Sequence, residues 1–189
     1  MGGRSLPHVI IELGALVEPR GQGADAAAEH DPIQLRAGVG EALERLELLA
    51  KPVVLAGQTA ADRALPADDA ERVGLVRDLL GRPEIDVVCW DVALERPDGP
   101  HETVWGDRPE DPARLAAELR PRGEPGFLIV GGDADILGWR PIGLQIIRLG
   151  PAPNSPLATL HRPDHDARDL RDAANWILLQ DTFEGQLAL

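Results

Sequence analysis

The 189-residue chain contains no tyrosine, two phenylalanines and one cysteine. With aromatic residues this scarce there is no platform of ring faces on which the bases of a single-stranded nucleic acid could stack. The lone Cys89 can form no intramolecular disulfide and belongs to no Cys-x-x-Cys pair, which removes zinc-ribbon and dithiol redox chemistry. Its apolar neighbours predict a buried thiol. No apolar run is long enough to span a bilayer, and the opening Met-Gly-Gly-Arg-Ser-Leu-Pro lacks the apolar stretch of a secretion signal. The cytoplasm is therefore the expected location. Positive charge is also short: 19 Lys and Arg stand against 32 Asp and Glu, a net charge of −13. Nucleic acid and anionic membranes, which both need a basic surface, are thereby disfavoured. A small phosphate ester is not, because it needs only a local positive pocket or a cation.

What remains is an ordinary globular composition, 43% hydrophobic and 27% charged, in a length that suits one domain. Short apolar runs alternate with helical patterns, the mark of βα units and a parallel sheet. His8-Val9-Ile10-Ile11 reads as a first buried strand, and residues 14–36 as a long loop or flap. A helix is predicted at about 38–50, then a strand at Val53-Val54-Leu55-Ala56 closed by Gly57. A second helix over about 67–80 starts at Asp68 and Asp69 and precedes the strand Ile85–Trp90. Residues 95–111 read as a polar loop and 112–120 as a helix. The strand Phe127-Leu128-Ile129-Val130, the turn Gly131-Gly132-Asp133, a helix from about 135 broken by Pro141, and the strand Gln145–Arg148 follow. No linker divides the chain, so residues 1–189 are expected to form one domain with a core of about 8–150 and an appended tail of about 151–189.

In that tail Ala158-Thr159-Leu160-His161 predicts a short edge strand, and Asp164 a cap for a helix over 165–181. Leu170, Ala174, Ile177 and Leu178 form one apolar stripe, expected to face the domain. Trp176, Leu179 and Phe183 form a second, expected to meet another protein, a second copy of the chain, or the chain's own loops. His161 and His165 are four apart, a metal-ligand spacing if helical, but Pro163 between them points to a solvated helix start.

Three segments, in order, resemble the haloacid dehalogenase superfamily, and within it the capless branch that includes histidinol and heptose bisphosphate phosphatases. Gly14-Ala15-Leu16-Val17-Glu18-Pro19 is similar to the stretch that follows the nucleophile motif there. Residues 36–46 leading to Val53-Val54-Leu55-Ala56-Gly57-Gln58 are similar to its helix and second-motif strand. Leu128–Leu137 with Gly143–Ile147 is similar to its acidic fourth motif and the helix and strand beyond. The resemblance implies a three-layer, Rossmann-like α/β domain built on a parallel sheet, with no cap domain.

It also implies chemistry that the residues only partly supply. The family uses a nucleophilic aspartate at the end of the first strand, an acid two residues later, and Mg²⁺. The ungapped match puts Ile11 and Leu13 at those two places; sliding by one puts Glu12 at the nucleophile and Gly14 at the acid. Where the family offers a phosphate-binding hydroxyl stands Gly57, followed by Gln58 and Thr59. Arg108 is the candidate for its lysine, with guanidinium geometry in place of a point charge. Asp133 and Asp135 are the candidate Mg²⁺ ligands, although aspartates there also cap helices. Two readings result: a degenerate phosphatase scaffold with a binding, regulatory or structural role, and a Mg²⁺-dependent phosphohydrolase working through Glu12, Asp133 and Asp135.

Overall fold

The computed structural model describes residues 7–19, 33–56, 68–89, 126–131, 144–150 and 162–187. Six strands form one parallel sheet: β1 (His8–Glu12), β4 (Lys51–Ala56), β5 (Asp86–Cys89), β6 (Gly126–Val130), β7 (Gln145–Leu149) and β8 (His165–Ala167), in the order β5-β4-β1-β6-β7-β8. The first-motif strand β1 lies between β4 and β6, parallel to both, so the carboxyl ends of all three open at the same edge. It is the parallel, Rossmann-like α/β sheet that the resemblance implies. Among the described residues no helix is long and apolar enough to cross a membrane.

The sheet's two faces differ because side chains alternate along each strand. In register across the sheet, Val87, Val54, Ile11, Ile129, Ile147 and His165 form one transverse row. Four of its five aliphatic members belong to the larger core cluster, and the half-buried Val87 packs against it. Helices α2 (Val39–Leu49), α3 (Asp69–Leu80) and α4 (Leu170–Leu187) send Leu43, Leu46, Val76, Leu80, Ala173, Ala174 and Ile177 into the same cluster. Ile10, Leu55, Leu128, Val130 and Ile146 line the opposite face, also buried.

Local signals set the helix ends. Asp68 Oδ1 accepts the Glu71 N–H at 3.0 Å, as an N-cap should, and α3 stops at Gly81, whose φ of 62° is open to glycine at little cost. Residues 14–36, expected as loop, contain more order than that. A helical turn α1 (Leu13–Leu16) follows β1, and β2 (Val17–Pro19) pairs antiparallel with β3 (Ile33–Leu35). Three-residue strands are too short to show a period, and their pairing partners are remote in sequence. Residues 95–111, the helix at 112–120, the helix from 135 and the strand at 158–161 lie outside the described residues.

The tail departs from expectation in two ways. His165–Ala167 is a strand, and the helix starts only at Leu170. Asp164 caps nothing there: its Oδ2 accepts the Ile146 N–H at 2.7 Å while its own N–H donates to Ile146 O at 2.8 Å, which continues the β7 ladder. The cap is Asp169, whose Oδ1 accepts the Asp172 N–H at 2.8 Å. Leu170, Ala173, Ala174 and Ile177 are buried as expected, but Leu178 is 42% exposed. At 100° per residue Leu178 lies some 80° round from Leu170, at the margin of the buried arc, and Leu179 lies opposite it.

The Asp172 carboxylate accepts the Arg168 N–H at 3.1 Å, and this bond holds its carboxyl below the usual carboxylate range. Partial burial opposes the effect, while the Arg168 guanidinium and His165 add to it. Because the folded value is depressed, the stabilisation is present above the unfolded value of about 4 and is lost as pH falls through the folded value. The stability gap between wild type and Asp172→Asn should therefore be constant near neutrality and shrink below about pH 4. Urea melts at stepped pH will read it; a gap that persists unchanged to pH 2 would show that this carboxylate is not responsible.

Candidate functional site

Ligands of open α/β sheets bind beyond the carboxyl ends of the strands, which here means the edge where β4, β1 and β6 end. The last strand residues on that edge are Ala56, Glu12 and Val130. Position 11, the nucleophile place in the ungapped match, is occupied by an isoleucine with no exposed surface, flanked in register by Val54 and Ile129. Leu13, at the acid place, is likewise fully buried and opens α1 toward the same core. Neither side chain can bind a metal or carry a proton.

Glu12 faces the other way by strand alternation and is 3% exposed. Its Oε2 accepts the backbone N–H of Gly131, the first residue after β6, at 3.3 Å. The α1 turn stands one methyl group's width away: a Cβ built on Gly131 would meet the Gly14 carbonyl oxygen at 3.4 Å, ordinary contact distance. A side-chain hydrogen bond thus joins the ends of β1 and β6. Arg36 fixes the other side of that turn. Its Nε donates to Val17 O at 3.0 Å and its Nη2 to Gly14 O at 3.3 Å, while its own N–H donates to Leu16 O at 2.9 Å.

Of the other residues singled out from the sequence, Gly57, Gln58, Thr59, Arg108, Asp133 and Asp135 lie outside the described residues. Among the described residues no group of three His, Cys, Asp or Glu side chains could hold a metal ion. His165 sits on a strand, its ring stacked on Trp176 with centroids 4.9 Å apart and planes 8° apart. Trp176 also meets Phe127 edge-on at 5.9 Å, so it packs against the domain from a half-buried position. Leu179 is 53% exposed, and the Phe183 side chain is outside the described set.

One charged pair near the site has no counterpart among the residues singled out above. Arg148, on the same face as Glu12 and in the same transverse row (Glu12 at the end of β1, then Val130, Arg148 and Asp166), is 4% exposed. Its Nε donates to Asp166 Oδ1 at 2.8 Å and its Nη2 lies 2.7 Å from the same oxygen. An arginine inside a predicted strand, matched to an aspartate 18 residues later, carries no local signature.

No protein-family model and no curated protein matches this chain in sequence. Solved structures do match in fold. A haloacid dehalogenase-like family hydrolase from Streptococcus pneumoniae superposes with a TM-score of 0.57 at 14% identity, over 90% of this chain and 98% of that one. A D,D-heptose bisphosphate phosphatase from B. bronchiseptica, complexed with magnesium and phosphate, gives 0.59 at 14% identity, over 93% and 99%. A haloacid dehalogenase-superfamily hydrolase from Ehrlichia chaffeensis gives 0.51 at 13%, over 94% and 98%. The chain has the haloacid dehalogenase-like hydrolase fold.

Proposed function

We propose that this chain is a haloacid dehalogenase-like scaffold that does not transfer phosphoryl groups and acts by binding. The observation that carries the reading is the complete burial of Ile11 and Leu13 in the aliphatic core. Covalent phosphoryl transfer needs an oxygen nucleophile in line with phosphorus and a nearby acid, and two alkyl groups supply neither. Glu12, the carboxylate between them, is turned to the opposite face and engaged with Gly131. For the partner we propose another protein, met through the exposed leucines of the C-terminal helix, Leu178 and Leu179. The strongly acidic composition argues against nucleic acid.

The rival is Mg²⁺-dependent hydrolysis of a small phosphate ester through Glu12, Asp133 and Asp135. It is favoured by one feature: Glu12 contacts the head of the segment that leads to both aspartates. Hydrolysis of an aryl phosphate by purified protein with Mg²⁺ separates the two. Release equal to the no-enzyme control is expected. Turnover abolished by Glu12→Gln would establish the rival, whereas turnover surviving both Glu12→Gln and Asp135→Asn would identify a contaminating phosphatase.

A further inference from the structure

Resting on the reading that this chain binds another protein, we propose that the partner is a second copy of the chain, docked through the joint outer face of α2 and α4. Among the described residues the large apolar side chains left exposed are Leu48, Leu178 and Leu179, and all of them lie on these two helices. The helices run in the same direction, since α4 starts beyond the carboxyl end of β8 and α2 ends where β4 begins. They pack side by side, and the Glu41–Arg171 ion pair sets their alignment. Leu48 lies seven residues beyond Glu41 and Leu178 seven beyond Arg171, which is two turns or about 10 Å further on in both helices. The two leucines therefore stand level. Leu48 is also nine residues beyond the buried Val39, as Leu179 is beyond the buried Leu170, a separation that turns each away from the core. Leu48 is 79% exposed as a result. One such leucine would be ordinary; leucines level with each other on adjacent helices make a patch.

Charge selects the occupant. A chain of net charge −13 repels its own copies. Around this patch, however, the charges cancel in pairs. Glu41 is shared by Arg45 and Arg171, Arg82 holds Glu44 and Glu47, and Arg168 holds Asp172. A second copy can approach here without acid facing acid, whereas a basic partner finds each of these carboxylates already taken. A patch spread over two adjacent helices also suits a two-fold contact, in which the same leucines serve both sides.

The test is sedimentation of wild type, Leu48→Glu and Leu179→Glu over a range of concentrations, with circular dichroism melts to show that each is folded. Wild type is expected to be dimeric. Each substitution should loosen the dimer at least about tenfold, because it places a carboxylate from both copies in an apolar contact. Association should tighten as salt is raised, since salt screens the net repulsion. Wild type that stays monomeric at about 0.5 mM overturns the proposal, as does a dimer that both folded variants retain. A dimer that loosens with salt overturns it too, because ion pairs between copies would then hold it. If one variant fails to fold, the other decides; if neither folds, isotope-filtered NOEs between leucine methyls of mixed labelled wild type decide. A monomer leaves the non-catalytic reading standing, because that reading falls only to turnover of aryl phosphate by wild type.

Discussion

Ile11→Asp with Leu13→Asp, the pair that writes the missing carboxylates back into the sequence, will yield an unfolded chain and no phosphatase. Ile11 is the central member of an aliphatic row running from Val87 to Ile147, and Leu13 packs into the same cluster. An uncompensated carboxylate in such a place costs about 3–5 kcal/mol, and two together approach the whole stability of a typical domain, about 5–15 kcal/mol. Circular dichroism and a urea melt of each single variant will read the effect. The expected result is a loss of at least about 3 kcal/mol for Ile11→Asp alone, with no Mg²⁺-dependent turnover at any temperature. A folded double variant of near wild-type stability would mean that positions 11 and 13 face the crevice.

The second large effect concerns Arg148 and Asp166, and its direction depends on which partner is removed. Arg148 has a 5% exposed side chain and directs two nitrogens at one Asp166 oxygen; Asp166 is 52% exposed. Removing the carboxylate in Asp166→Ala leaves a buried guanidinium without this partner. The expected loss is about 2–3 kcal/mol, below the usual cost of breaking a buried pair because water can reach the aspartate's place. Arg148→Met removes the buried charge and keeps most of the apolar stem, so it should cost under about 1 kcal/mol. Urea midpoints at unchanged m-value will give both numbers. If Arg148→Met proves the worse of the two, the guanidinium is held by more than Asp166.

The difference between these two regions also explains how much could be read in advance. The parallel α/β sheet was legible because short apolar runs bounded by turn residues alternate with helical patterns, and the observed strands fall on those runs. The α3 cap was legible because Asp68 acts on a residue three positions away. Contacts over long sequence distance were not. An aspartate that caps a helix and one that accepts from a neighbouring strand look alike in sequence, so Asp164 pointed to a helix start although it completes the β7–β8 pairing. The Arg148–Asp166 pair spans 18 residues and the Glu12–Gly131 bond 119. At the site, sequence alone could show that Ile11 and Leu13 replace carboxylates. It could not show which face Glu12 takes, because a one-residue shift of register moves every side chain to the other side.

Methyl NMR with Mn²⁺ in place of Mg²⁺ tests the central claim most directly. In a working metal-dependent site, residue 11 would lie beside the paramagnetic ion and its signal would broaden beyond detection. In the structure described here the Ile11 methyl is enclosed by Val54 and Ile129. It should show cross-peaks to both and remain sharp as Mn²⁺ is added with phosphate present. Selective broadening of the Ile11 methyl by Mn²⁺, reversed by excess Mg²⁺, would contradict the account and place a metal centre at the end of β1.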